Sequence, residues 1–212
     1  MAVKRLLNIN NQSPAEEEIN FWKQVKDGDK VAFIEIYNRY FDDLYRYGWQ
    51  LIRNQALVED AIHDIYVSIW DKREKLPDVH HIKLYLLSAL RRVLIRKVKK
   101  EKVFNNRLLN EFSWDDAMEP SFLDNAISRI NEEETNGKIN QALSQLTERQ
   151  KEIIYLKFYQ NLSYQEIASM LNLDQKYAYN LMARALASMR DKYESLGVKF
   201  LPFVLYYLFH QS

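Results

Sequence analysis

Residues Leu143–Arg190, LSQLTERQKEIIYLKFYQNLSYQEIASMLNLDQKYAYNLMARALASMR, decide the reading of this chain. Thr147 with Gln150, and Ser163 with Glu166, match the S/T-x-x-E/Q pattern in which two side chains satisfy the unpaired N–H groups where a helix begins. After Ser163 the apolar residues are Ile167, Ala168 and Leu171, and the small Ala168 allows a neighbouring helix to approach closely. Asn172 then stands where the chain must turn sharply, and asparagine tolerates the left-handed conformation better than most residues. Asp174 is placed to cap the helix that follows. In that helix Ala178, Leu181, Met182, Ala185 and Met189 fall on one face, which leaves Gln175, Lys176, Tyr179, Asn180 and Arg184 outside. The pattern predicts a helix-turn-helix with a supporting helix, which presents its outer face to a DNA major groove. Gln and Asn suit adenine edges, Lys suits guanine, and Arg184 a phosphate or a base.

Upstream the periodicity is again helical. Phe33, Ile36, Tyr37, Tyr40, Leu44, Gly48 and Leu51 recur at three- and four-residue steps after the Asp27-Gly28-Asp29 turn, and Arg53-Asn54-Gln55 ends the run. Val58, Ile62, Ile65 and Ile69 mark a second helix from about Leu57 to Trp70. Leu76-Pro77-Asp78 stops it, because proline lacks an N–H and restricts the residue before it. A third helix, Ile82 to Lys102, carries Leu87, Leu90, Leu94 and Val98. These three predict one compact helical domain, preceded by a loose lead-in where Ser13-Pro14-Ala15-Glu16 can cap a short helix. The expected division is a lead-in over 1–20, a helical domain over 21–102, a linker over 103–137, the helix-turn-helix domain over 138–195 and an apolar tail over 196–212. The fold class is all-α.

The net charge of +1 hides a partition. Between Lys83 and Lys102 stand Lys83, Arg91, Arg92, Arg96, Lys97, Lys99, Lys100 and Lys102 against Glu101 alone. From Val103 to Asn136 the sign reverses: Arg107 and Arg129 face Glu111, Asp115, Asp116, Glu119, Asp124, Glu132, Glu133 and Glu134. Solvated faces would scatter the signs, whereas segregation suggests a nucleic-acid surface beside an acidic segment. On the third helix Tyr85, Arg92, Arg96 and Lys99 form one stripe, where an aromatic ring can stack an unpaired base while cations hold phosphates. On the second, Asp60 and Asp64 are like charges one turn apart. They suggest a protein-docking face, with Asp60 helped by the helix N-terminus.

Other function classes find little support. The 212 residues contain no cysteine, so thiolate metal sites, disulfides and cysteine nucleophiles are excluded, and a cytoplasmic setting is expected. The histidines are His63, His80, His81 and His210, and the adjacent pair lacks ordinary metal-ligand spacing. No Gly-rich phosphate loop or nucleophile motif occurs. The expectation is a non-enzyme without catalytic residues, metal or cofactor. The run Phe200–Phe209 is too short to span a bilayer, so no membrane insertion is expected.

Several of these residues resemble a known family. Asp29–Tyr37 (DKVAFIEIY), Glu59–Trp70 (EDAIHDIYVSIW) and Tyr85-Leu86 leading into the basic helix resemble region 2 of bacterial extracytoplasmic-function (ECF) RNA polymerase sigma factors, and Leu143–Arg190 resembles their region 4. The resemblance covers about Phe21–Lys102 and Lys138–Tyr193, with the region 3 of larger sigma factors missing. It implies a promoter-specificity subunit without catalysis of its own, working on core RNA polymerase and promoter DNA, with region 2 melting the −10 element and region 4 reading the −35 element. Asp60, His63 and Asp64 would dock on the clamp of the polymerase largest subunit, His63 standing where the family usually has Gln. The loop Leu76–His81 and the helix from Tyr85 would melt the −10 region and capture a flipped base, with Tyr85, Arg91, Arg92, Arg96, Lys97 and Lys99 as the contacts. Arg92 replaces a common Asn, and Arg96 stands where an acidic residue is frequent. Gln175, Lys176, Tyr179, Asn180 and Arg184 would read the −35 element, with Tyr177 in place of a usual Thr. The acidic linker would thread the polymerase cleft, and an anti-sigma protein, membrane-bound in many relatives, would be the regulator. The alternative is a helix-turn-helix regulator that is not a polymerase subunit, which would bind duplex DNA tightly by itself.

Overall fold

The computed structural model describes residues 14–105, 143 and 145–195, and divides the chain into two compact units, residues 1–108 and 109–212. All regular structure among the described residues is helical. The acidic segment beyond residue 105 and the tail 200–209 lie outside the described residues.

Among the described residues the first unit contains four α-helices, α1 (Pro14–Lys26), α2 (Lys30–Leu51), α3 (Gln55–Asp71) and α4 (Ile82–Asn105), with a short 3-10 helix at Arg73–Lys75. The lead-in expected over 1–20 is therefore helical from Pro14. Proline at the first helical position loses only an N–H that would be unpaired anyway, and Glu16 and Glu17 in the first turn with Lys23 and Lys26 in the last suit the helix dipole. Helix α1 adds Trp22, 2% exposed, and Val25 to the core, so the bundle has four helices rather than three.

Local chemistry sets the joints. Gly28 turns the chain with φ +87°, a conformation costly for any residue with a Cβ. The Asp29 carboxylate then accepts from the amides of Val31 (2.8 Å) and Ala32 (3.3 Å). Asn54 caps α3 by accepting from the Leu57 amide at 3.1 Å. Because α3 begins at Gln55, its first turn contains no acidic residue. The help expected for Asp60 from the helix N-terminus is thus weak, since the effect fades within one turn.

Most of the expected stripes form the core: Ile36, Tyr40, Leu44, Gly48 and Leu51 of α2, Val58, Ile62, Ile65 and Ile69 of α3, and Leu87, Leu90, Leu94 and Val98 of α4 are buried, whereas Phe33 is half-buried and Tyr37 is exposed. Each buried aliphatic side chain among them contributes about 1.5–3 kcal/mol, well above an exposed ion pair at about 0.2–1 kcal/mol. Close approach of α2 and α3 depends on Gly48, where a Cβ would lie 2.7 Å from Val58 Cγ1. Glu18 links three helices, accepting the Tyr40 hydroxyl at 2.5 Å with one oxygen and the Ile82 amide at 3.2 Å with the other. Burial, with the Glu18 carboxylate second, pushes the Tyr40 hydroxyl pKa up.

The second unit holds α5 (Glu148–Phe158), α6 (Tyr164–Leu171) and α7 (Gln175–Ser195). Both expected capping boxes are present, Thr147 with Gln150 and Ser163 with Glu166. Asn172 adopts φ 55° and ψ 50°, the left-handed turn expected between α6 and α7, and Asp174 accepts from the Tyr177 amide at 2.7 Å. Ile153, Leu156, Leu162, Ile167, Ala178, Leu181, Met182, Ala185 and Met189 fill the core. Glu148 and Lys151 are buried as an ion pair 2.6 Å apart, a feature that periodicity did not anticipate. Pairing answers part of the desolvation cost of both charges.

Candidate nucleic-acid interfaces

Helix α4 sorts its cations by rotation about its axis. Arg92, Arg96 and Lys99 of the expected stripe are exposed, and so is Lys100. Arg91 is 9% exposed and engaged by partners within the protein, so it is removed from the outward set. The reason is its register: it lies four residues after Leu87 and three before Leu94, on the buried stripe. Lys97 is also committed, its ammonium 2.7 Å from the Asp64 carboxylate. One residue expected to touch DNA and one expected to touch polymerase thus bind each other. Lys83 pairs with Asp43 of α2 at 2.9 Å. The DNA candidates that remain outward on α4 are Arg92, Arg96 and Lys99.

Tyr85 is half-buried near the start of α4, its ring edge-on to Trp22 with centroids 5.1 Å apart. The loop before α4 is held by α1. The Trp22 indole N–H donates to the Pro77 carbonyl at 2.8 Å, and the Lys26 ammonium bonds the Asp78 carboxylate at 2.5 Å. That ammonium holds the Asp78 carboxyl below the usual carboxylate range. Sequence reasoning missed Glu18, Trp22 and Lys26 as supports of this loop. The only signal was an amphipathic Trp22–Val25 step inside a short polar segment.

On α3, Asp60, His63 and Asp64 are all exposed. They lie within two helical turns, so a partner can meet all three at once.

In the second unit Ala178, Leu181, Met182, Ala185 and Met189 of α7 face inward, while Gln175, Lys176, Tyr179, Asn180 and Arg184 are exposed. At about 100° per residue, Lys176, Asn180 and Ala183 form the centre of that outer face. Tyr179 flanks it on the side of α6, where its ring meets Tyr164 with centroids 4.0 Å apart. On the opposite flank the Arg184 guanidinium lies 5.5 Å from the Tyr177 ring centroid. With Lys176, Asn180 and Ala183 at its centre and a tyrosine ring at each edge, this face suits entry into a major groove about 12 Å wide.

Among the described residues no group of three or more His, Asp or Glu side chains is arranged to hold a metal ion. Among those residues, too, no helix is long and apolar enough to cross a membrane.

Comparison with known proteins agrees with both units. Residues 36–103 match the family described as Sigma-70 region 2, and residues 136–189 match Sigma-70, region 4. The chain is similar to the ECF RNA polymerase sigma factor SigX of Bacillus subtilis (strain 168), with 27% identity over 78% of this chain and 85% of that protein. It is also similar to the ECF RNA polymerase sigma factor SigK of Mycobacterium bovis (strain BCG / Pasteur 1173P2), with 23% identity over 80% of this chain and 89% of that one. In fold it is similar to the sigma factor RpoE solved in complex with the anti-sigma factor NepR from Bartonella quintana, at a TM-score of 0.54 and 18% identity, covering 76% of this chain and 96% of that chain. With both regions present in this order, the chain belongs to the ECF RNA polymerase sigma factors, non-catalytic proteins that direct transcription initiation through regions 2 and 4.

Proposed function

We propose that the first unit binds core polymerase through Asp60, His63 and Asp64 of α3 and engages the −10 element through Arg92, Arg96 and Lys99 of α4 with Tyr85. The second unit reads the −35 element through Gln175, Lys176, Tyr179, Asn180 and Arg184 of α7. The observation that carries this reading is that each unit turns one helix face with cationic or amide side chains toward solvent, Arg92, Arg96 and Lys99 in the first and Lys176, Asn180 and Arg184 in the second. Cations supply affinity for phosphates at both places, and sequence is read where amides and ring edges meet base edges. The −10 contact involves unstacking bases, at a few kcal/mol per flipped base, which the cations on α4 help to offset. Lys97 has a different part: it orients Asp64 on the docking face.

The working site is the cytoplasm, where core polymerase is found. An anti-sigma protein is the proposed regulator, and this rests on family membership together with the similar fold of a sigma factor solved with its anti-sigma partner. The domain limits proposed are 21–102 for region 2 and 138–195 for region 4, with α1 extending the first toward Pro14.

Transcription with purified core polymerase of matching origin tests the assignments, on a promoter recovered by mapping transcript starts. Arg92→Ala/Arg96→Ala should reduce initiation on duplex DNA and spare a template melted in advance over the −10 region. Lys176→Ala/Asn180→Ala should remove dependence on the −35 sequence, and Asp60→Asn/Asp64→Asn should remove co-purification with polymerase. Equal loss on duplex and melted templates would refute the −10 role of α4. Tight specific binding to duplex by the free chain, without polymerase, would favour a regulator acting alone.

A further inference from the structure

Two tyrosines on the recognition helix, Tyr177 and Tyr179, are each engaged, and one engagement reaches outside that helix. Tyr179 is 50% exposed, yet its ring lies against Tyr164 with centroids 4.0 Å apart and planes tilted by 32°. Tyr164 is the first residue of α6 and lies inside the Ser163–Glu166 capping box, whose two reciprocal hydrogen bonds fix the backbone around it. Its ring also lies beneath the Lys157 ammonium of α5, 5.2 Å from the centroid. That ammonium donates to the Leu162 carbonyl at 3.2 Å, which secures the turn between α5 and α6. The three described helices of the unit therefore meet in the series Lys157, Tyr164, Tyr179. Burial, with Tyr179 second, pushes the Tyr164 hydroxyl pKa up.

We infer that Tyr164 is a positioning residue for −35 recognition, holding the Tyr179 ring at the edge of the groove-facing surface so that its exposed side reads a thymine methyl group. This rests on the reading that α7 enters the major groove at the −35 element. A lone exposed tyrosine samples several rotamers, whereas one held against a second ring presents a fixed apolar wall. Apolar contact with the thymine methyl is a recognised route to base discrimination in the major groove. Lys176 and Asn180, at the centre of the face, read their bases without help from Tyr164.

The test uses holoenzyme assembled from the full chain and a pool of linear promoters in which only the −35 hexamer is randomised, each hexamer paired with a known barcode in the transcribed region, with transcripts sequenced. Wild type should prefer thymine at one position, and deoxyuridine there, which lacks the methyl, should lose that preference. Tyr164→Ala should weaken the preference roughly two- to tenfold, the range an aromatic pair is worth, and leave the other positions unchanged. Tyr164→Phe should retain it. Tyr164→Leu keeps an apolar side chain at the start of α6 and should show the same loss as Tyr164→Ala should the latter fail to fold. In a Tyr179→Ala background the Tyr164 substitutions should have no further effect. The inference is overturned if Tyr164→Ala and Tyr164→Leu leave the thymine preference intact, weaken all positions alike, or act undiminished without Tyr179. A wild type with no −35 preference at all would overturn the groove reading itself, and this proposal with it.

Discussion

Replacing Trp22 by Phe separates loop anchoring from bundle formation. The substitution keeps an aromatic ring against Tyr85, now 5.1 Å away and edge-on, but removes the indole N–H that bonds the Pro77 carbonyl at 2.8 Å. That bond is worth about 1 kcal/mol net, and the freed carbonyl, on an exposed residue, can turn to water. The smaller ring leaves a void at a position only 2% exposed, which adds about 1 kcal/mol. Denaturant unfolding should therefore show a loss of about 2 kcal/mol in the first unit. Only the hydrogen-bond share bears on the loop Leu76–His81, and 1 kcal/mol corresponds to about fivefold in its held population. Open-complex formation on duplex promoter, followed by permanganate reactivity of unpaired thymines, should fall by about that factor. A template melted beforehand over the −10 region should initiate as well as with wild type. An equal fall on both templates, or no fall on either despite the loss of stability, would refute the idea that α1 acts on promoter melting by holding this loop.

Gly48→Ala should destabilise the chain by about 1 kcal/mol. The helix-propensity gain of about 1 kcal/mol is outweighed by an overpacking cost of about 1–3 kcal/mol, because the new Cβ would meet the stiff, fully buried Val58 at 2.7 Å. Thermal unfolding measures it, and a rise in Tm would contradict the close α2–α3 approach. Asn172→Gly should change stability by only a few tenths of a kcal/mol, whereas Asn172→Val should cost about 1–2 kcal/mol and lower −35-dependent transcription, since φ 55° is strained for a β-branched residue. Equal tolerance of both would mean that the turn does not depend on the left-handed residue.

Much of the second unit was legible because its determinants are local. The two capping boxes, the left-handed Asn172 and the Asp174 cap each act over two to four residues, so the identities of near neighbours suffice. The inward and outward faces of α7 followed from period alone. The same rule would have found Arg91 buried, had its place between Leu87 and Leu94 been weighed above its charge.

The amino-acid sequence by itself therefore determined α2, α3 and α4 of the first unit, the helices and the turn of the recognition hairpin, and the Arg92, Arg96 and Lys99 stripe, because period and capping are properties of a single helix. Only the tertiary structure decided that Lys97 binds Asp64, that α1 holds the loop before α4, and that Tyr164 lies against Tyr179. Those pairings join residues from different elements, and they depend on crossing angle and axial rotation fixed by ridges packing into grooves. A rotation of about 20° moves a side-chain tip about 6 Å from the axis by about 2 Å, and no count along one helix contains that angle.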